Sequence, residues 1–193
     1  MASLETQAGL NAQFDKKQSA KYGVILGLIS LVLGIVILFV TKNLTSFLSI
    51  TAFSYGINTI LYVLIAVLFS FILRRRNGGR WTFSVALKSI FLMLLVSTII
   101  SNIGTLIYVH YINPTLQQEA LYNTINVTIQ YMEDSGAPDD IIDANIAKLE
   151  EQIDSVGNVT FFQSLSGIAI SILTQFIFSL VLAAITKNVR VDK

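Results

Sequence analysis

The residue types that could do chemistry are concentrated in one segment of the chain, residues 112–160. This segment contains nine carboxylates, Glu119, Glu133, Asp134, Asp139, Asp140, Asp143, Glu150, Glu151 and Asp154, against one lysine, Lys148. Asp139 with Asp143, and Glu150 with Asp154, are one helical turn apart, so each pair could bind Ca²⁺ weakly. The segment lacks the central glycine and the alternating acidic residues of an EF-hand loop. We therefore favour a solvated acidic helix face, with no bound metal and no cofactor.

The other reactive side chains do not form a recognisable catalytic set. The chain contains no cysteine, which excludes disulfides, thiolate nucleophiles and cysteine-bound metals. Its long apolar runs contain no Asp or Glu, the residue type that proton-coupled small exporters use within the membrane. Lys88 and His110 lie near the two ends of the third run, where a lysine can reach the headgroups and a histidine fits an interfacial belt. We therefore predict that the protein is not an enzyme.

Four long apolar runs make up most of the remaining sequence. The chain is 53% hydrophobic and only 13% charged, whereas soluble domains contain about 25% charged residues. Helices over residues 22–40, 50–73, 82–111 and 161–186 would each cross roughly 30 Å of hydrocarbon at about 1.5 Å per residue. The predicted fold class is all-α, an integral membrane four-helix bundle whose first three spans occupy residues 22–111.

The basic residues near the span ends predict the orientation in the membrane. The turn between spans two and three carries Arg74, Arg75, Arg76 and Arg80. The N-terminal arm, residues 1–21, carries Lys16, Lys17 and Lys21, and the C-terminal tail, residues 187–193, carries Lys187, Arg190 and Lys193. We therefore predict that both termini and the arginine-rich turn are cytoplasmic, and that residues 112–160 are extracytoplasmic.

The acidic segment also has the periodicity of two helices. Its first half places Leu121, Ile125, Ile129 and Met132 on one helical face, and its second half does the same with Ile142, Ile146, Leu149, Ile153 and Val156. Gly136 suits the end of the first helix, and Pro138 suits the start of the second. The pattern predicts an extracytoplasmic acidic helical hairpin between spans three and four.

Small and polar residues within the spans indicate helix packing. Gly23, Gly27, Ser30 and Gly34 form a small-residue face on span one, which packs within the bundle or against a second copy of the chain. Asn58, Asn102 and Gln175 lie at similar predicted depth in three spans. Such a polar layer either provides interhelical hydrogen bonds, worth about 0.6 kcal/mol each, or lines a cavity.

At this point the chain resembles a known family, the domain of unknown function 4199 (DUF4199). The resemblance rests on Lys21-Tyr22-Gly23, on Gly27 and Ser30 in span one, on Ile112-Asn113-Pro114 after span three, on the acidic helical loop and on the short basic tail. It covers about residues 21–187. It implies a multi-pass protein of the bacterial inner (cytoplasmic) membrane and supplies no catalytic residues.

Two functional hypotheses follow from these features. The first is a non-enzymatic interaction or accessory protein whose outer acidic hairpin binds another protein. The alternative is a small transporter or channel subunit, in which Ser30, Asn58, Asn102 and Gln175 line a path. The expected partners are the lipid bilayer, a protein at the hairpin and a second copy of the chain, but not nucleic acid.

Overall fold

The computed structural model describes residues 14–79, 81–157 and 161–188, and it is all-α within these ranges. The helices are α1 (Lys16–Thr41), α2 (Phe47–Thr51), α3 (Asn58–Arg76), α4 (Phe83–Ile107), α5 (Leu116–Asp134), α6 (Asp139–Gly157) and α7 (Phe161–Thr186). A π-helical segment, Ala52–Ile57, joins α2 to α3, and a second one, Tyr108–Ile112, extends α4. The side chains of Glu150, of residues 152–157 and 161–166 and of Ile168 are outside the description.

Four of these helices are long and apolar enough to cross a membrane. They run over Lys16–Thr41, Phe47–Arg76, Phe83–Ile112 and Ala169–Thr186, and they include or overlap the four predicted spans. Large apolar side chains stand exposed in rows, such as Leu28, Val32 and Val36 on α1 and Ile170, Leu173 and Ile177 on α7. Exposed apolar rows of this length are suited to lipid contact and not to water. The protein is thus a multi-pass membrane protein in its architecture.

The chain divides into two compact units. The first, which we call the basic unit, comprises Met1–Ser30, Tyr62–Asn102 and Gly167–Lys193; the second, the acidic unit, comprises Leu31–Leu61 and Ile103–Ser166. The described part of the basic unit contains eight basic side chains, Lys16, Lys17, Lys21, Arg74, Arg75, Arg76, Lys88 and Lys187, and one carboxylate, Asp15. The acidic unit contains all nine carboxylates of residues 112–160, with Lys42 and Lys148 as its basic residues.

The core of the basic unit is built from α1, α3, α4 and α7. Its buried apolar residues are Tyr22, Leu26, Ala66, Leu73, Trp81, Ala86, Ile90, Met93, Leu94, Leu182 and Ala183. Hydroxyl side chains are also buried here, and two of them bond to their own helix: Ser70 donates to the Ala66 carbonyl at 2.7 Å and Thr186 to the Leu182 carbonyl at 2.7 Å. These two local bonds satisfy hydroxyl groups that have no access to water, whereas the buried hydroxyls of Ser89 and Ser97 have no partner among the described residues.

The segment between spans three and four folds into two helices, α5 and α6, which contact each other. Gly136 ends α5 with φ +70°, a conformation that glycine adopts without strain. The Pro138 carbonyl accepts a hydrogen bond from the Ile142 amide at 3.1 Å, so Pro138 directly precedes the first turn of α6. Ile125 on α5 and Ile142 on α6 are buried, as the periodicity indicated.

Candidate functional site

The first helix of the acidic segment is bound to the turn that follows span one. The Asn123 amide nitrogen of α5 donates to the carbonyl oxygens of Thr41 and Leu44, both at 2.7 Å. Carbonyls at the end of a helix lack intrahelical donors. One side chain of α5 therefore caps the end of α1 and fixes the turn after it.

An ion pair lies beside this cap. The Lys42 ammonium donates to Glu119 Oε2 at 3.1 Å, and both side chains are partly exposed to solvent. The Thr115 hydroxyl and then the Lys42 ammonium stabilise the ionised carboxyl, which lowers the pKa of Glu119 below its ordinary value. Solvent screening keeps the energetic contribution of such an exposed pair small. Its main effect is to help to set the position of α5.

An aromatic stack makes a third contact between α5 and the start of span two. The rings of Phe47 on α2 and Tyr131 on α5 stack with centroids 4.5 Å apart and an interplanar angle of 14°. The Thr41 and Ser54 hydroxyls lie 3.1 Å apart and link the end of α1 to the π-helical segment. Glu119 near the start of α5, Asn123 within it and Tyr131 near its end thus each contact the region between the end of α1 and the start of α2.

The second helix, α6, contacts α5 and exposes most of its acidic side chains. Besides Glu119, which pairs with Lys42, six carboxylates among the described side chains of the α5–α6 segment are exposed: Glu133, Asp134, Asp139, Asp140, Asp143 and Glu151. Asp139 and Asp140 lie in the first turn of α6, where the helix dipole favours negative charge. Tyr131 and Ile141 add two large side chains to the same exposed region, with 46% and 47% of their surface accessible.

The candidate cation ligands do not form a metal site within the described residues. Asp139 and Asp143 are exposed, and no group of three or more His, Cys, Asp or Glu side chains is placed to hold a metal in the described part of the chain. The side chains of Glu150 and Asp154, the other weak candidates, lie outside the described ones.

The glycines of span one meet α4 at very short range. A Cβ added to Gly23 would lie 2.6 Å from the Met93 carbonyl oxygen, and one added to Gly27 would lie 2.9 Å from the Ser97 carbonyl oxygen. The two helices can approach this closely only because these positions lack side chains. Further along the same face, Ser30 Oγ is buried without a hydrogen-bond partner among the described residues, and an added Cβ at Gly34 would meet nothing within 4 Å.

The three polar residues of the predicted layer have different environments. Gln175 accepts a hydrogen bond at 3.3 Å from the Tyr62 hydroxyl, which joins α7 to α3 in the basic unit. Asn102, in the same unit, is exposed, and Asn58, in the acidic unit, is half-buried. Lys88 and His110 are also exposed, as expected for side chains near the ends of a span.

The arginine-rich turn contacts the end of span four. Arg74 Nη1 donates to the Thr186 carbonyl at 3.2 Å, while Arg75 and Arg76 are exposed. Arg80, the fourth predicted topology anchor, lies outside the described residues. Next to it, the Trp81 amide donates to Asn188 Oδ1 at 2.7 Å.

Several of these residues could not be identified as important from the sequence alone. Asn123, Phe47 and Tyr131 make the α5 contacts, and Trp81 and Asn188 join the turn to span four, but no local pattern distinguishes them. Trp81 is the one tryptophan of the chain, which is the only sequence signal that could have singled it out. Gly104 also lies very close to the Leu31 side chain, and no small-residue motif in the sequence indicates this contact.

Comparison with known proteins places this architecture in a family. No curated protein and no solved structure matches the chain. The model of the family described as "Protein of unknown function (DUF4199)" matches residues 21–188, which is most of the chain. The resemblance noted from the sequence is therefore confirmed, and the chain belongs to the DUF4199 family.

Proposed function

We propose that this protein is a non-enzymatic accessory protein of a bacterial cytoplasmic membrane, and that it binds another protein through the acidic hairpin formed by α5 and α6. The observation that carries the proposal is the set of six exposed carboxylates, Glu133, Asp134, Asp139, Asp140, Asp143 and Glu151, on a segment that is itself anchored. The partner that fits this surface presents lysine and arginine side chains.

The contacts of α5 support a role in recognition because they restrict the motion of the hairpin. Asn123 bonds to the turn after span one, and Tyr131 stacks on Phe47. An interaction surface held in place before binding loses less conformational freedom when the partner arrives. The second helix, packed on α5, then presents its carboxylates from a fixed base.

The surface combines charge with apolar anchors. Complementary charges accelerate encounter and select the partner, whereas buried aromatic and aliphatic side chains supply much of the binding energy. Tyr131 and Ile141 are the exposed anchors nearest in sequence to Asp134 and Asp139. A basic partner with an apolar centre is therefore the expected occupant.

The charge distribution supports an extracytoplasmic position for the hairpin. Basic residues accumulate on the cytoplasmic side of membrane proteins, and the arginine-rich turn belongs to the basic unit. With four spans, both termini share the side of that turn, and the connection between spans three and four lies on the other side. The proposed orientation has cytoplasmic N and C termini.

Site-specific crosslinking tests the proposal. A photo-crosslinking amino acid is placed at Ala144, an exposed position of α6, in the full chain in its native membrane. We expect one crosslinked partner. The triple variant Asp139→Asn, Asp140→Asn, Asp143→Asn should lose this product, because it removes three carboxylates from the contact surface.

A control variant with the same change in net charge isolates the carboxylates from the overall charge. Gln118→Lys, Asn126→Lys and Gln130→Lys alter three exposed positions of α5 and also raise the charge by three units, yet leave the acidic face intact. This variant should keep most of the crosslinked product. Equal yields from the two variants, or no specific product at Ala144, would refute the proposal.

A further inference from the structure

Asn102 places an exposed amide at the depth of the hydrocarbon. It belongs to the span Phe83–Ile112 and lies about 15 Å from the nearer end of that helix, and its side chain is exposed. Asn43 and Asn145 each donate to the carbonyl four residues earlier along the chain, whereas no hydrogen bond joins the Asn102 side chain to a described residue. Because the bilayer core offers no water to a polar group, the partner of this amide must come from protein.

Asn102 is part of a face of α4 that the core of the basic unit leaves open. Leu92, Leu95, Ile99 and Asn102 follow one another at spacings of three, four and three residues, which places them on one side of the helix. Leu92 and Leu95 are half-buried and Ile99 is 47% exposed, while Met93 is completely buried on the opposite side. This is the spacing of a coiled-coil seam in which one position is polar and the others are apolar.

A second copy of the same chain is the occupant that fits this face. All copies of a membrane protein have the same orientation in the bilayer, so a two-fold axis along the membrane normal brings the same residue of two copies together at the same depth. An amide side chain both donates and accepts hydrogen bonds, so the Asn102 side chains of two copies can each donate to the other. A lipid chain or a wholly apolar helix would leave both groups of the amide unpaired.

The small-residue face of span one cannot serve the same purpose where it meets α4. A Cβ added to Gly23 or Gly27 would lie 2.6 Å or 2.9 Å from a backbone oxygen of α4, so this part of the face is already occupied within one copy. Lys88, one turn before Leu92 on the open side of α4, is near the end of the span, where its long side chain can extend to the headgroups. The apolar seam therefore begins at Leu92.

We propose that the protein forms a dimer in the membrane through the α4 face of Leu92, Leu95, Ile99 and Asn102, with the Asn102 amides of the two copies bonded to each other. The apolar side chains supply van der Waals packing between the helices. The amides fix the register, because a single polar position in an apolar seam pairs in one alignment only. The dimer depends neither on the proposed role of the acidic hairpin nor on which side of the membrane the termini lie.

Disulfide formation between copies tests the geometry, since the chain contains no cysteine of its own. Ile99→Cys lies in the proposed seam, and Ile170→Cys, on α7, is the control: Ile170 is 65% exposed, and both positions are about 24 Å from the end of their helix at the arginine-rich turn. Oxidation of native membranes with copper phenanthroline should link two copies of Ile99→Cys, because a disulfide requires Cα atoms within about 7 Å. Equal yields at both positions, or no dimer from Ile99→Cys, would overturn the inference.

Energy transfer between fluorescently labelled copies of the full-length protein in phosphatidylcholine vesicles tests the role of Asn102. The dependence of the transfer on the protein-to-lipid ratio gives the dissociation constant of the dimer. Asn102→Leu should raise this constant about tenfold, because the hydrogen bonds between the copies are lost. Asn102→Gln keeps an amide and should stay closer to the unaltered protein.

Thr174→Leu is the matched control, since it also replaces an exposed polar side chain of a span by leucine. The Thr174 hydroxyl bonds to the Ile170 carbonyl of its own helix, so this variant should leave the dissociation constant unchanged. Both variants should keep the helical circular dichroism of the unaltered protein, which excludes a folding defect as the cause. An unchanged constant in Asn102→Leu, or an equal rise in Thr174→Leu, would contradict the proposed dimer.

Discussion

The two units of this protein are stabilised by different kinds of contact. In the basic unit, Gly23 and Gly27 let α1 approach the backbone of α4 so closely that a Cβ added at either position would clash with a carbonyl oxygen of α4. In the acidic unit, specific side chains make the connection: Asn123 caps the end of α1, and Tyr131 stacks on Phe47. Close backbone packing tolerates no added volume, whereas contacts between side chains can be removed one at a time. The two units should therefore respond differently to substitution.

The largest expected effect is in the basic unit. Gly27→Leu places side-chain atoms against the Ser97 carbonyl and Ile100 of α4, where an added Cβ alone would already lie 2.9 Å from each. Backbone atoms cannot rotate away, so we expect a loss of about 3 kcal/mol in the free energy of unfolding. The measurement is unfolding by sodium dodecyl sulfate in mixed micelles, followed by circular dichroism.

Gly34→Leu is the matched control on the same helix. An added Cβ at Gly34 meets nothing within 4 Å, so the change in unfolding free energy should stay within about 0.5 kcal/mol. If the two substitutions destabilised the protein equally, close packing of α1 on α4 would not be what stabilises the basic unit.

The second effect belongs to the acidic unit. Asn123→Ala removes both hydrogen bonds to the Thr41 and Leu44 carbonyls, which should raise the free energy of the docked position of α5 by about 2 kcal/mol. Amide hydrogen exchange in α5 should accelerate, while exchange in α4 stays the same. Asn126→Ala, an exposed position of the same helix, should leave both rates unchanged; acceleration by both variants would show that Asn123 has no special role.

A smaller coupling is expected between Phe47 and Tyr131. A double-mutant cycle with Phe47→Ala and Tyr131→Ala isolates the energy of the stack from that of the separate side chains. Because the rings lie 4.5 Å apart and nearly parallel, the coupling should be about 1 kcal/mol. Additive effects of the two substitutions would mean that the stack does not hold α5.

The smallest effect concerns the ion pair of Lys42 and Glu119. The pKa of the Glu119 carboxyl is lowered in the folded protein, so this carboxyl binds a proton less readily in the folded state than in the unfolded state. The stabilisation is therefore complete above the ordinary pKa of a glutamate and disappears as the pH falls through the lowered value. The midpoint temperatures of thermal unfolding of the unaltered protein and of Glu119→Gln should differ slightly at neutral pH and low salt. They should become equal in acid. A difference that persists in acid would exclude the pair as its cause.

The spans could be predicted from the sequence because their signal is local. The length of an apolar run can be read directly from the sequence. Gly136 and Pro138 likewise indicate the end of one helix and the beginning of the next. The contacts that hold the units together could not be predicted, because they join distant positions: Asn123 lies 82 residues from Thr41, and Trp81 lies 107 residues from Asn188. Periodicity identifies the face that a helix buries, but it does not identify the partner.

The glycines of span one illustrate the same limit. Their spacing indicated a small-residue face, but the sequence could not show that Gly23 and Gly27 contact α4 or that Gly34 has open space beside it. Likewise, the arginines after span two indicated an orientation in the membrane, yet gave no sign that Arg74 would differ from Arg75. That difference arises from Thr186, which is 112 residues away.

Selective labelling of single cysteines tests the central claim most directly, which is that the acidic hairpin is displayed outside the cytoplasm. The chain has no cysteine of its own, so Asp140→Cys and Arg76→Cys, both at exposed positions, each provide one thiol. Intact cells are treated with a membrane-impermeant maleimide, and permeabilised cells serve as the reference. We predict labelling of Asp140→Cys in intact cells and of Arg76→Cys only after permeabilisation. The reverse pattern would place the hairpin in the cytoplasm and contradict the account.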